Sequence, residues 1–255
     1  MKKILLIGIG AGDPEHVTMQ AVKALNRVDV FFVMDKGPAK KKLVALRQEI
    51  CRRYIEGNDY RVVEAPSPPR ERAPADYRAC VEDLNQDKKA VFERLISTEM
   101  ADGDCGAILI WGDPSLYDST IRVIEAIAAE GRHHIDYEVI PGITSVQALA
   151  AKHRTTLNRI GKSVEITTGR NLAGGWSDSA DSVVVMLDGE DTYRRFADQD
   201  VEIFWGAYLG TPDEILISGK LRDVAGHIYE ARKAARAANG WIMDTYLIRK
   251  VRDDK

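Results

Sequence analysis

The sequence lacks the features of a disulfide-stapled, zinc-bound, nucleic-acid-binding or membrane-embedded protein. Its three cysteines, Cys51, Cys80 and Cys105, are odd in number, far apart and without a C-x-x-C pair. That argues against a zinc knuckle or a disulfide framework and suits a reducing, cytoplasmic setting. Positive charge is not in excess: Lys plus Arg number 36 against 39 Asp plus Glu, a net charge of -3. No global field therefore attracts nucleic acid or an anionic membrane, and an anionic ligand needs locally gathered Arg and Lys. No apolar run reaches the length of a membrane span. Lys2-Lys3 before an apolar run imitates a secretory signal, but the run is short and meets Asp13 and Glu15, so it reads as a buried first strand. His133-His134 has no partner at metal-ligand spacing and reads as a surface turn; His16, His153 and His227 are isolated, and no metal is expected. Low-complexity tracts and short repeats are absent.

What is present is strand-helix alternation in a chain of 255 residues, long enough for one large domain or two small ones. Strand-like apolar runs lie near 4–8, 29–34, 60–65, 106–111 and 136–140, with helical patterns at about 15–27, 40–55, 76–101 and 118–130. This predicts a mostly parallel sheet with helices on its faces. Residues 64–74, rich in Pro and Arg, read as an exposed loop. After about residue 157 the texture changes. Runs at 163–168, 182–187, 201–208, 214–219 and 241–248 are separated mostly by turns, with one helix at about 221–238. The expected organisation is α/β with two domains: 1–157 with a parallel sheet, a linker at 156–161, and 162–255 with a mixed sheet.

The first strand ends in Gly8-Ile9-Gly10-Ala11-Gly12-Asp13-Pro14. A dinucleotide fingerprint needs G-x-G-x-x-G and a helix N-terminus open to pyrophosphate. Here the third glycine is one residue early. Asp13 reads as an N-cap and Pro14 as the first helical residue, so the carboxylate takes the amides a phosphate needs. The loop is expected to shape a cleft rather than hold a phosphate. The same strand-Gly-Asp-Pro-helix pattern recurs at Gly112-Asp113-Pro114, and each copy is also expected to cap the helix that follows. Asp35 ends the second strand, and Pro141-Gly142-Ile143-Thr144-Ser145 follows the fifth. Four such endings at strand carboxyl ends point to a ligand cleft. Asp35 reads either as a base or as a solvated turn residue; Thr144 and Ser145 either cap a helix or reach a ligand.

Five segments together, ILLIGIGAGDPEHVT with VDVFFVMD, ILIWGDPSLYDS, YEVIPGITSVQALAA, DSVVVMLDGED and GTPDEILISGKL, run in order over most of the chain. In this the sequence resembles the tetrapyrrole (corrin/porphyrin) methylases, class III methyltransferases that use S-adenosylmethionine. The resemblance implies two α/β domains, parallel-sheet and mixed-sheet, with the cofactor in the cleft between them. It implies S-adenosylmethionine as cofactor, with S-adenosylhomocysteine as product, a tetrapyrrole as small-molecule partner, no nucleic acid or membrane partner, and a homodimer. Carried over by position, the cofactor residues are Gly10, Ala11, Trp111, Gly112, Asp113, Ser115, Leu116, Thr144, Ser145, Met186, Leu187, Ala207, Tyr208, Leu209, Gly210, Ile242, Asp244 and Thr245. Asp35 matches a carboxylate assigned as base in some relatives. Ala11 stands where the family usually has Pro.

The Pro/Arg-rich insert and the ending Gly240-Trp241-Ile242-Met243-Asp244-Thr245-Tyr246 are similar to one branch of the family. That branch methylates C-1 of precorrin-5 and releases the extruded carbon as acetate in aerobic cobalamin biosynthesis. Arg61, Arg70, Arg72, Arg170, Arg194 and Arg195 are candidates to bind substrate carboxylates, since guanidinium matches carboxylate geometry. The alternatives are another precorrin or siroheme-pathway methylase, a more distant diphthine synthase, a nicotinamide-dependent oxidoreductase, and a noncatalytic tetrapyrrole- or nucleotide-binding module.

Overall fold

A computed structural model describes residues 1–35, 41–57, 59–69 and 77–251. The chain forms two compact units: Met1–Gly10 with Pro14–Thr144, and Ala11–Asp13 with Ser145–Lys255. This division falls earlier than the change of sequence texture near 157, because the helix opened by Ser145 clusters with the second unit.

The first unit comprises β1 (Lys2–Gly8), α1 (Met19–Leu25), β2 (Val30–Asp35), α2 (Lys41–Tyr54), β3 (Arg61–Pro66), α3 (Tyr77–Glu99), β4 (Cys105–Ile110), α4 (Thr120–Ala129) and β5 (Ile135–Ile140). The strands pair in parallel in the order β3-β2-β4-β1-β5. A central parallel strand is covered on both faces and so reads as a continuous apolar run. In β1, Ile4 and Leu6 enter one cluster with Phe92, Leu95 and Ile96 of α3 and Val123 and Ile124 of α4. Leu5 and Ile7 enter the other, with Ala21, Ala24 and Leu25 of α1 and Ile50 of α2. Each such side chain, fully buried, contributes roughly 1.5–3 kcal/mol.

Two expectations need correcting here. The helix expected over 15–27 starts at Met19, where Thr18 is the N-cap and its hydroxyl accepts from the Ala21 amide at 3.1 Å. Pro14–His16 forms only a 3-10 turn, so Asp13 does not cap the α-helix. The exposed loop expected over 64–74 begins later: residues 64–66 close β3, where Ala65 is buried, and 70–76 lie outside the described residues.

The second unit comprises α5 (Ser145–Lys152), β6 (Ser163–Thr168), α6 (Gly169–Leu172), β7 (Ala180–Met186), β8 (Val201–Ala207), β9 (Ile215–Lys220), α7 (Leu221–Asn239) and β10 (Asp244–Lys250). Its sheet runs β6-β7-β10-β8-β9, with β6 and β7 parallel and the other pairs antiparallel. The short α6 and a 3-10 turn over Thr192–Phe196 carry no long periodic pattern, so the sequence does not announce them. Helix α7 lays Leu221, Ile228 and Ala235 into a core with Trp205, Tyr193 and Tyr246, and ends at Gly240 in the left-handed region, φ 73°.

This core holds a charged network. Arg232 of α7 is buried; its Nε donates to Asp244 at 3.0 Å and its Nη1 pairs with Asp191 at 3.0 Å. Trp205 Nε1 donates to the same Asp244 oxygen at 3.0 Å. Asp188, also buried, accepts from the Tyr246 hydroxyl at 2.6 Å and from the Thr192 amide at 2.7 Å. Burial pushes the Asp244 carboxyl above its ordinary range, against the opposing pull of Arg232 and Trp205. Removing one partner of a buried ion pair strands the other and costs about 3–5 kcal/mol. Arg232→Met is therefore expected to lose roughly that much stability in urea denaturation. Adding Asp244→Leu should recover part of it. A loss below about 1 kcal/mol would assign the pair to the solvent-screened class.

Candidate functional site

In an open α/β sheet the ligand edge lies outside the strand carboxyl ends. In the first unit that edge is built on backbone contact. Gly10 and Gly112 form an isolated bridge: the Gly112 amide donates to the Gly10 carbonyl at 2.8 Å and the Gly10 amide to the Gly112 carbonyl at 3.3 Å. A Cβ on Gly142 would stand 2.2 Å from the Gly112 carbonyl oxygen, and one on Gly8 would stand 2.6 Å from the Gly142 amide nitrogen. Only glycine permits this approach at Gly8 and Gly142, at the ends of β1 and β5. Asp113 ties the contact shut, accepting from the Gly142 amide and from the Ser115 amide, each at 2.8 Å. Burial raises its pKa, but the bonds from Ser115 and Gly142 outweigh that and leave it below its ordinary value.

Asp113 is thus a clasp between loops rather than the helix cap expected of it. Helix α4 takes its terminal bond from Asp118, which accepts from the Thr120 amide at 2.7 Å. Gly112 itself has φ 71°, and a Cβ there would meet only Thr144 Cα at 3.8 Å. Beside it, the buried Trp111 Nε1 has no hydrogen-bond partner among the described residues. The loop therefore offers a close backbone approach and an unspent donor, which fits a bound polar ligand.

In the second unit, the ends of β7, β8 and β10 meet in register: Met186 opposite Thr245, Thr245 opposite Gly206, and Asp244 opposite Ala207. The Thr245 hydroxyl donates to Ser145 at 2.9 Å. Leu187 is exposed and left-handed at φ 54°, and Tyr208 is left-handed at φ 50° while buried. Such backbone is strained for residues with a Cβ and is held by its surroundings. The Tyr208 hydroxyl donates to the Ala235 carbonyl at 3.2 Å, its amide donates to the Met243 carbonyl at 2.9 Å, and its ring meets Trp241 edge-on. Gly12 passes so near this loop that a Cβ would stand 2.3 Å from the Leu209 carbonyl oxygen.

The expected residues thus sort by unit. Gly10, Trp111, Gly112, Asp113, Ser115, Leu116 and Thr144 lie on the loops of the first. Ala11, Ser145, Met186, Leu187, Ala207, Tyr208, Leu209, Gly210, Asp244 and Thr245 lie at one end of the second sheet or beside it. Ile242 packs against the second core. The Asp244 carboxylate is spent on Trp205 and Arg232, a role the sequence does not signal because those partners are 39 and 12 residues away. Asp35 closes β2 opposite Pro66, and residues 36–40 lie outside the described residues. Among the candidate arginines, Arg61 opens β3 at the amino end of the parallel sheet and pairs with Glu99, so it faces away from the ligand edge. Arg194 stacks on Tyr229, and Arg195 donates to the Ala173 carbonyl. Arg70 and Arg72 lie outside the described residues.

The profile of the Tetrapyrrole (Corrin/Porphyrin) Methylases matches residues 3–225. The chain belongs to this family. Within it, the precorrin-6A synthase [deacetylating] of Sinorhizobium sp. is 51% identical over 253 residues, covering 99% of this chain and 97% of its own. The crystal structure of a cobalamin synthesis related protein (CobF) from Corynebacterium diphtheriae is 36% identical, covers 99% of this chain and 100% of its own, and superposes with a TM-score of 0.84. A uroporphyrin-III C-methyl transferase from Thermus thermophilus, solved with S-adenosylhomocysteine, shares the fold at 17% identity and a TM-score of 0.58, covering 97% of each chain. The two-domain α/β architecture, parallel sheet followed by mixed sheet, is the one the family resemblance implied.

A Cβ at Gly112 meets no close atom but is strained at φ 71°, so Gly112→Val is expected to lose about 1–3 kcal/mol of stability, keep a native circular dichroism spectrum, and block a ligand from the backbone. Calorimetry should show affinity for S-adenosylhomocysteine reduced by roughly tenfold or more. Unchanged affinity in the folded variant would make the loop a purely internal junction.

Proposed function

We propose that the protein catalyses S-adenosylmethionine-dependent methylation of C-1 of precorrin-5, with release of acetate to give precorrin-6A, in aerobic cobalamin biosynthesis. The observation that carries this reading is the 51% identity, along nearly the whole of both chains, to a precorrin-6A synthase [deacetylating]. The rival siroheme-pathway and other precorrin methylases match at 29% or less over shorter or comparable spans. A nicotinamide-dependent oxidoreductase would need the third fingerprint glycine that the chain lacks. On the same reading the enzyme works in the cytoplasm as a homodimer. No helix among the described residues is long and apolar enough to cross a membrane.

The sulfonium methyl is the electrophile that the cofactor supplies. The chain's task is alignment and exclusion of water, since transfer to carbon is an in-line displacement that removes positive charge from sulfur. Gly10, Gly112 and Thr144 would present backbone and a hydroxyl to the methionine moiety. Met186, Leu187 and residues 207–210 would form the adenine side, with Ala11, Ser145, Ile242 and Thr245 beside them. Trp111 would donate its unspent N–H. The Asp113 clasp fixes the loop before ligand arrives, so little ordering entropy is lost on binding. Asp35, at the carboxyl end of β2, is assigned as the base or acceptor-orienting carboxylate. For acetate to leave, water would add to the acetyl carbonyl carbon carried by C-1, the bond from C-1 to that carbon would break with the oxygen leaving in acetate, and the electron pair left on C-1 would take the methyl group, the protons of water going to solvent.

Two measurements test this. With S-adenosylmethionine and precorrin-5, product analysis should find one acetate for each methyl group transferred. Methylation without acetate, or methylation of another precursor in preference, would reduce the protein to a simple methylase of the family. Asp35→Asn should lower turnover about a hundredfold or more while affinity for S-adenosylhomocysteine stays within about twofold. Near-normal turnover would return Asp35 to a turn.

A further inference from the structure

The sheet of the first unit opens at its ligand edge between β2 and β4. Their register runs through Val30/Gly106, Phe31/Ala107 and Phe32/Ile108 and stops there. Strand β2 continues to Asp35 against β3, and β4 continues to Ile110 against β1. Alternate residues of β4 face alternate neighbours. The Cys105 carbonyl accepts from the Asp29 amide on the β2 side at 2.8 Å, and the Ile110 carbonyl accepts from the Ile9 amide on the β1 side at 2.9 Å. Leu109 is in phase with Cys105, so its carbonyl points to where β2 has parted. Arg47 of α2 fills the role of the missing strand: its Nε donates to the Leu109 carbonyl at 3.2 Å, and its Nη1 donates to the Leu43 carbonyl at 2.9 Å.

A guanidinium is an extravagant donor for two carbonyls. Among residues whose side chains are described, which leaves out Asp35, its Nη2 makes no hydrogen bond and its guanidinium no ion pair. Burial lowers its pKa from the ordinary value, with Asp118 pulling the other way only through its charge. A cation held in this way is under-paired, and a bound carboxylate would complete it.

We propose that Arg47 is a carboxylate-binding residue of the substrate site, its free guanidinium edge taking one acidic side chain of the tetrapyrrole at the opening between β2 and β4. This rests on the substrate reading above. It also separates Arg47 from the arginines singled out by sequence, none of which shares this placement among the described residues. The sequence marks residues 40–55 only as a helical pattern and gives Arg47 no distinction within it. The parting of the sheet is what gives that residue its position.

The test uses the whole protein with a corrin whose recognition does not depend on turnover. Cobyrinic acid, with free side-chain carboxylates, and its fully methyl-esterified form are titrated into wild type, Arg47→Lys, Arg47→Gln and Arg47→Met. S-adenosylhomocysteine is titrated in parallel. Wild type should prefer the free acid. Arg47→Met should bind it roughly tenfold or more weakly, and Arg47→Lys should keep part of the affinity. Affinity for S-adenosylhomocysteine should stay within about twofold in both. Equal affinity of wild type and Arg47→Met for the free acid overturns the proposal, as does a wild type that fails to prefer acid over ester. If Arg47→Met does not fold, Arg47→Gln, which keeps a neutral donor, makes the same comparison. A wild type that binds cobyrinic acid through Arg47 yet leaves precorrin-5 unmethylated sinks the functional reading alone and leaves this subsite standing.

Discussion

The approach of Gly8, Gly112 and Gly142 to one another is the constraint on which the ligand edge depends. Three strand ends are brought to backbone contact, and the missing Cβ atoms of Gly8 and Gly142 are what make that contact possible. The Asp113 carboxylate then converts proximity into a fixed geometry by accepting from the amide of the facing loop. Everything the first unit presents at this edge follows: the left-handed Gly112, the open space above it, the unpartnered Trp111 N–H and the placement of Thr144. Loops held this way are preorganised, which is what a methyl transfer governed by alignment requires.

The second unit solves a similar problem with charge. Leu187 and Tyr208 hold backbone angles that a side chain disfavours, and each adjoins a well-anchored neighbour. Asp188, next to Leu187, is fixed by Tyr246 and Thr192, while Tyr208 is fixed by Ala235 and Met243. Arg232 joins these parts, since it reaches Asp244, Asp191 and the Asp188 carbonyl from a single helix. A buried network of this kind adds little net stability compared with an apolar core, but it specifies one arrangement. Here the arrangement it specifies is the strand ends where Met186, Thr245 and Ala207 meet.

Much of the fold was legible because it rests on local signals. The apolar run Ile4-Leu5-Leu6-Ile7 of β1 and the long periodic α3 sit within a few residues of where hydrophobic pattern predicts them. The two Gly-Asp-Pro triplets were legible as loops at strand ends, but their chemistry was misread. In the first, Thr18 rather than Asp13 caps the helix; in the second, Asp113 bonds across to a loop 29 residues away. A short acidic side chain before Pro looks the same in sequence whether its partner is local or distant. Asp244 was singled out for its position in the tail, but its partners come from β8 and α7, which no spacing rule connects to it. Arg47 went unnoticed for the same reason: its significance comes from a register that ends at Phe32 and Ile108, and register is a property of paired strands.

The most direct measurement of the account is a calorimetric titration of the purified protein with S-adenosylhomocysteine and, separately, with NAD. A glycine junction clasped by Asp113, without the third fingerprint glycine, should bind S-adenosylhomocysteine at micromolar or tighter affinity, about 8 kcal/mol or more. NAD should bind far more weakly. A protein that prefers NAD would contradict the account at its root, because the same loops would then be serving a pyrophosphate.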